Sequence, residues 1–491
     1  MRTEAGVAPA ERAVRTASGL YVGGSWLEPP DGGRLNVRDP ATGVEVGSVV
    51  AARRAHVRSA IEAAHRAFPR WSALSPDERG RPLRRAYELV NERVEELARA
   101  LTLEQGKPLD ESEVEITWGS EFLLWYAEEI RRPWGEMLAA NAPNQRLYVR
   151  RRPRGVVACI TAWNFPSALV LRKVAAAVAA GNTVVVKPAE QTPLSAVLLF
   201  ELFDESGFPP GVVNLVCGEP QPIGDELLAA QEVRQISFTG SREVGTLLAR
   251  RAAETLKHVT LELGGHAPFL VFADADLALA AEKLSFSKFQ TAGQTCIAAN
   301  RVLVERRVRD ELTERLVARA ERLRVGDGLE AGIEIGPLLA NGGLAKARDH
   351  VEDALARGAR LITGGRAPTG LDPDRFLAPT VLADVPDDAR IMREETFGPV
   401  APVVAFEDEE EAIRRANASE YGLAAYVFTR ELGRAHRVSE ALEYGMVAVN
   451  DGALGWVQAP FGGIKGSGTG REGGRQGLEE YLDLQYLSVN F

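Results

Sequence analysis

From Ala55 to Ala100 apolar residues recur every three or four positions with charges between them, the period of helices that cover a core. Ser75-Pro76-Asp77-Glu78 reads as a cap opening one of these helices. Beyond Pro153 the texture changes to short β-branched runs, GVVACIT, TVVVKP, VVNLVCG and QISFTGS, separated by helix-like segments such as PLSAVLLFELF. That alternation predicts a doubly wound, mostly parallel α/β sheet. A second run of the same kind begins near Ala267 to Phe272, continues through NRVLVERR and a charged helix from Val308 to Arg324, and extends to about Leu454. Two strand-like pieces, Asn144–Arg154 and Leu482–Phe491, fall outside both runs; as unpaired edges they suit pairing with another subunit.

Length and charge narrow the classes. A chain of 491 residues exceeds one ordinary core, so two or three units share it, and 45% apolar with 26% charged residues is a soluble globular mix. The net charge of −10 offers nucleic acid no broad footprint, and the basic run Arg150–Arg154 reads as a solvated or subunit-facing strand. Three cysteines exclude a disulfide framework, no apolar run is long enough for a bilayer, and the N-terminus lacks a secretory apolar region. The expectation is a cytoplasmic protein with no nucleic-acid or membrane partner and a loose leader over residues 1–19.

Three residues carry candidate chemistry. Cys296 sits in a glycine-led turn, GQTCI, rather than inside an apolar strand as Cys159 and Cys217 do, although a lone cysteine also serves as a small core residue. A thiolate attacking a carbonyl makes an oxyanion, and Asn164 in TAWNFP, just past a buried strand, offers an amide donor; a turn before Pro166 is its other use. Glu262, between two leucines and followed by Gly264-Gly265, is oddly placed for a solvated charge. Burial would raise its pKa toward the range useful for activating water. Gly240 and Ser241, where QISFTG runs into a helix, suit a pyrophosphate, though the spacing to Gly245 is not the GxGxxG fingerprint.

TAWNFP, VVVKPAEQTP, ISFTGS, LELGG, GQTC, EETFGPV and PFGGIKGSGTGREGG occur in an order and spacing that resemble the aldehyde dehydrogenase superfamily over nearly the whole chain. WNFPSALVLRK and GREGGRQGLEEYLDLQYL look most like its succinate-semialdehyde dehydrogenase group. The resemblance implies a Rossmann-like cofactor domain over 20–137 and 157–265, a catalytic α/β domain over 266–455, and oligomerisation strands over 138–156 and 475–491 in a homodimer or homotetramer. It implies Cys296 as nucleophile, Glu262 as base for thioester hydrolysis by water rather than transfer to CoA, Asn164 as oxyanion donor and Glu472 as a second carboxylate in proton relay.

By the same matching, Ile160, Thr161 and Trp163 would line the cofactor cleft, Lys187 and Glu190 would meet the adenosine ribose, Gly224, Gly240, Ser241 and Val244 would border the pyrophosphate, and Leu263, Glu395 and Phe397 would hold the nicotinamide end. A carboxylate at Glu190 repels a 2′-phosphate, so NAD is preferred, with NADP tempered in by Lys187. No metal is implied. Arg172 matches one of two arginines that this group uses for a distal carboxylate, but Gln290 stands at the second and Gly455-Trp456 at the serine stretch. The implied substrate is a small aldehyde such as succinate semialdehyde; a neutral or aromatic aldehyde, or a non-catalytic relative, is the alternative.

Overall fold

The computed structural model describes residues 12–14, 16–29, 33–132, 135–339 and 342–491. The chain opens with strands β1 (Leu20–Val22), β2 (Ser25–Trp26), β3 (Gly33–Arg38) and β4 (Glu45–Ala51), then helices α1 (Arg54–Ser72), α2 (Pro76–Glu92), α3 (Val94–Gln105) and α4 (Leu109–Glu129). The cap before α2 forms reciprocally: Ser75 Oγ accepts from the Glu78 amide at 3.3 Å and a Glu78 carboxylate oxygen accepts from the Ser75 amide at 2.8 Å.

Strands β5 (Gly135–Leu138) and β6 (Gln145–Pro153) lead into β7 (Val156–Ile160), α5 (Pro166–Ala179), β8 (Thr183–Lys187), α6 (Leu194–Glu205), β9 (Val213–Val216), α7 (Pro220–Ala229), β10 (Val233–Thr239), α8 (Arg242–Ala253) and β11 (His258–Glu262). Strands β7 to β11 are parallel, and the sheet runs β11-β10-β7-β8-β9 with β1 added antiparallel on β9. Both faces are covered at its centre, so β7 and β8 are nearly continuous apolar runs, while β9, β10 and β11 bury the polar Asn214, Gln235, Ser237 and Thr260 as well. From β7 the chain lays β8 and β9 to one side, then returns to lay β10 and β11 on the other. The order reverses between β7 and β10, which is where an open α/β sheet leaves a crevice at its carboxyl edge.

The second domain follows: β12 (Ala267–Val271), α9 (Leu277–Phe289), β13 (Ala299–Glu305), α10 (Arg309–Ala320), α11 (Gly343–Ala356), β14 (Arg360–Thr363), β15 (Thr380–Ala383), β16 (Val400–Phe406), α12 (Glu409–Asn417), β17 (Ala424–Phe428), α13 (Leu432–Ala441) and β18 (Met446–Val449). Its sheet is ordered β14-β15-β16-β13-β12-β17-β18, all parallel but β14. Here the cleft lies at the amino edge, because only four residues separate the end of β11 from the start of β12. The carboxyl edge of one sheet therefore faces the amino edge of the other. The sequence expectation of two like domains holds for architecture, with opposite edges turned to the cleft.

Strand β19 (Gly468–Thr469) pairs with β11, and β20 (Leu482–Asn490) pairs antiparallel with β6 along its length, with β5 on the other side of β6. The two strand-like outliers of the sequence thus meet in one three-stranded sheet. Its start at Gly135 lies three residues ahead of the expected boundary at 138. Of the expected leader, residues 1–11 and 15 lie outside the described residues. The rest is anchored rather than loose: buried Arg12 pairs with Asp39 and Asp327, the Val14 amide bonds Val46 O at 2.8 Å and the Ala17 amide a Glu201 carboxylate oxygen at 2.7 Å. Among the described residues no helix is long and apolar enough to cross a membrane.

Candidate active site

Cys296 follows a kinked turn. After α9, Thr291 and Ala292 take left-handed φ values of 52° and 55°, a conformation that costs roughly 1–3 kcal/mol per non-glycine residue. Glu111 holds it, its carboxylate accepting from the Thr291 amide at 3.0 Å and hydroxyl at 3.1 Å. Gln294 adds a second brace, donating to Thr291 O at 3.0 Å and accepting from the Leu339 amide at 2.9 Å. Gly293 is obligatory, since a Cβ there would lie 2.3 Å from Gly398 O. The thiol of Cys296, half-buried, is pushed up to about 12 by burial and by the Glu395 charge. Cys159 and Cys217 are pushed equally far by full burial and do not line the cleft that holds Cys296.

Asn164 lies in the turn after β7, 5% exposed, with Nδ2 donating to Gln294 O at 3.1 Å. Its own carbonyl accepts from Lys107 Nζ at 2.8 Å. Lys107 pairs with Glu115 at 2.5 Å, and the other Glu115 oxygen accepts the Ser167 and Ala168 amides at 2.9 and 3.1 Å, capping α5. Lys107, Glu111 and Glu115 escaped the sequence reading. Their only signal was a lysine just before α4 and two of the several acidic residues along it, which surface helices also show.

Glu262 ends β11 and is 3% exposed, and neither carboxylate oxygen has a hydrogen-bond partner. Burial first, then the charge of Glu472, push its pKa well up, against the pull of Arg172 and Lys173. Glu472 is itself clamped, 2.6 Å from Arg172 Nε and 2.6 Å from Lys173 Nζ. Burial works against its charge, yet these two cations outweigh it and hold the proton off.

The residues expected to bind the cofactor follow the carboxyl edge of the first sheet. Glu262 is in register with Thr239, Phe238 with Ile160, and Ile160 with Lys187. The Thr161 amide bonds Lys187 O at 3.1 Å, and Lys187 Nζ meets Glu190 at 2.8 Å. Burial raises the Glu190 pKa, but Lys187 outweighs it and the net shift is down. Ser241 caps α8, accepting from the Val244 amide at 3.3 Å, and both residues are exposed. The buried hydroxyls of Thr161 and Thr239 have no partner. An unblocked helix start beside two orphan hydroxyls at the switch point fits a dinucleotide.

Gly264 and Gly265 turn the chain between the sheets. A Cβ on the first would lie 2.5 Å from a Glu395 oxygen and on the second 2.3 Å from Cys296 O. The Gly265 amide donates to Glu395 at 2.8 Å, and burial pushes Glu395 up to about 7. Phe397, at φ 54°, meets Trp163 edge-on at 5.5 Å.

One cleft of about 550 Å³ brings together Cys296, Glu262 and Asn164 with Trp163, Gly240, Ser241, Leu263, Glu395 and Phe397, and with Arg172, Gln290 and Trp456. Ile160, Thr161, Lys187 and Glu190 continue along the sheet edge outside it, Val244 lies one turn into α8, and Gly224 sits on α7 away from the lining. Beyond Cys296 the walls are Trp118, Phe165, Phe286 and Phe461, and Trp118 Nε1 donates to Gly455 O at 2.9 Å, fixing the loop of Trp456. Arg172 lies over Phe461 at 4.5 Å with a buried Nη1 that has no partner, while Trp456 is 61% exposed at the rim.

The model of the aldehyde dehydrogenase family matches residues 26–487. The glutarate-semialdehyde dehydrogenase of Pseudomonas putida is 47% identical over 470 residues, covering 96% of this chain and 97% of that one. The NADP-dependent succinate-semialdehyde dehydrogenase GabD of Escherichia coli is also 47% identical, over 468 residues, covering 95% and 97%. Among solved structures, the succinate-semialdehyde dehydrogenase of Burkholderia pseudomallei superposes with a TM-score of 0.95 at 46% identity, covering 97% of this chain and 98% of that one.

Proposed function

The chain belongs to the aldehyde dehydrogenase family, and from that premise we propose that it oxidises an aldehyde with a distal carboxylate, of the succinate- or glutarate-semialdehyde type, using NAD in preference to NADP. The observation that carries the substrate reading is Arg172: a buried guanidinium on the cleft wall with Nη1 unpaired is a donor waiting for an anion. The names of the similar proteins agree with a carboxylated aldehyde.

The thiolate of Cys296 attacks the aldehyde carbon, and the oxyanion receives hydrogen bonds from Asn164 Nδ2 and the Cys296 amide. Ile160, Thr161, Trp163, Lys187, Glu190, Ser241, Glu395 and Phe397 would hold NAD, with Gly240 and Leu263 shaping the turn; the bound dinucleotide supplies the acceptor for the hydride that leaves the thiohemiacetal. Glu262 then takes a proton from water as its oxygen bonds to the thioester carbon. The carbon–sulfur bond breaks, Cys296 leaves as thiolate and the acid is released. A carboxylate with no hydrogen bonds and a raised pKa is the stronger base for this step. Apolar walls around Cys296 exclude stray water from the thioester.

A second reading has its own observation. Gln290 replaces a second cation and four aromatic side chains form the walls, which favours a neutral or aromatic aldehyde. Turnover of purified protein with succinate, glutarate, aliphatic and aromatic aldehydes, followed by NADH absorbance, separates the two. A preference for neutral aldehydes that survives Arg172→Met removes the semialdehyde reading.

A further inference from the structure

We propose that Lys107 is a positioning residue for the oxyanion site: with Glu115 and Glu111 it clamps the Asn164 turn against the Gln294–Cys296 segment. The proposal rests on reading Asn164 as the oxyanion donor. That donor must sit about 3 Å from where the oxyanion forms, yet Asn164 and Cys296 come from different domains, so something must fix their spacing.

The start of α4 touches both halves. Lys107, on the loop before α4 and 2% exposed, spends its ammonium on two acceptors, Glu115 at 2.5 Å and the Asn164 carbonyl at 2.8 Å, and lies 4.0 Å over the Phe165 ring. Glu115, two turns into the helix, ties the start of α5. Glu111, one turn earlier on the same face, holds the left-handed Thr291 of the nucleophile loop. The loop itself is seated on the second domain, since the Leu109 amide bonds Gly328 O at 3.0 Å and a Cβ on Gly336 would lie 2.1 Å from Gly106 O. Asn164 Nδ2 and Gln294 O then meet at 3.1 Å as the joint between the two clamped parts.

No atom of Lys107 is part of the cleft lining. Its effect must travel through the Asn164 backbone, where a displacement of ~1 Å is worth up to about 100-fold in rate. Glu115 and Glu111 do reach the lining, so Lys107 is the member whose influence is purely positional.

The test is a double-mutant cycle on the full-length enzyme with NAD and the best aldehyde substrate. Lys107→Met is expected to lower kcat by about 10- to 100-fold with KM for NAD unchanged, and Lys107→Arg to restore part of the loss. Made in an Asn164→Ala background, Lys107→Met should change kcat by no more than about 2-fold, because the group it positions is gone. Alkylation of Cys296 by iodoacetamide, which forms no oxyanion, should proceed at the parent rate in Lys107→Met; a general loosening of the site would alter it. If Asn164→Ala is impaired and the two losses multiply, the clamp proposal falls. If Asn164→Ala keeps full kcat, the oxyanion reading falls instead. Should Lys107→Met fail to fold, Lys107→Gln in the same cycle gives the same pair of outcomes.

Discussion

Arg172 Nε and Glu472 Oε2 lie 2.6 Å apart with both side chains almost wholly withdrawn from water, so the cation on the cleft wall is already partly neutralised. Only its remaining edge is available to a ligand. Charged hydrogen bonds of this kind contribute about 1.5–3 kcal/mol each. Arg172→Met should therefore lower kcat/KM for succinate semialdehyde by about 10- to 150-fold while a neutral aldehyde of equal length loses far less. Equal losses for the two substrates would mean that Arg172 serves only to hold Glu472.

Replacing Glu262 by Gln removes the base and keeps the shape. Rapid mixing with aldehyde and NAD should show a burst of one NADH per site followed by a stall, as the thioester accumulates. A variant without a burst would place Glu262 before hydride loss.

The pH dependence follows from burial. As the proposed base Glu262 would work without its proton, and its pKa is raised, so deacylation should fall as pH drops through a value well above the ordinary 4.5, not at it. The thiol of Cys296 is raised as well, so acylation should also speed up toward alkaline pH. Single-turnover rates across pH separate the limbs: that of deacylation should vanish in Glu262→Gln, and that of acylation should remain.

Lys187 and Glu190 are 2.8 Å apart at the sheet edge, and the acid is partly exposed. Glu190→Ser should release Lys187 for a 2′-phosphate and lower KM for NADP by about 10-fold, screening limiting the gain. Unchanged NADP kinetics would place the adenosine ribose elsewhere.

Cys296→Ala should abolish NADH formation while NAD still quenches tryptophan fluorescence with near-parent affinity. Retained turnover would overturn the nucleophile assignment.

What the chain revealed unaided depended on range. Strands β7 to β9 were legible because strands buried on both faces read as nearly unbroken apolar runs. The cap at Ser75 was legible because its hydrogen bonds span three residues. The clamp was not: Lys107 and Asn164 are far apart in sequence, and a lysine before a helix looks the same whether its ammonium meets water or a carbonyl. Nor was the left-handed backbone at Thr291 and Ala292, since neither residue type favours it and Glu111, distant in sequence, helps to hold it. The turning of the second sheet, amino edge to the cleft, follows from the short link after Glu262, a matter of geometry that no local pattern encodes.

That link of four residues, Leu263 to His266, acts as a tether. Fully extended it reaches only about 14 Å, and the two glycines within it are pinned by Glu395 and by the Cys296 carbonyl. The two strand ends it joins are thus held within that reach of each other. The edge of one sheet and the edge of the other are thus fastened to each other at the very point where Glu262 and Cys296 share the cleft, with exposed Trp456 left at its rim.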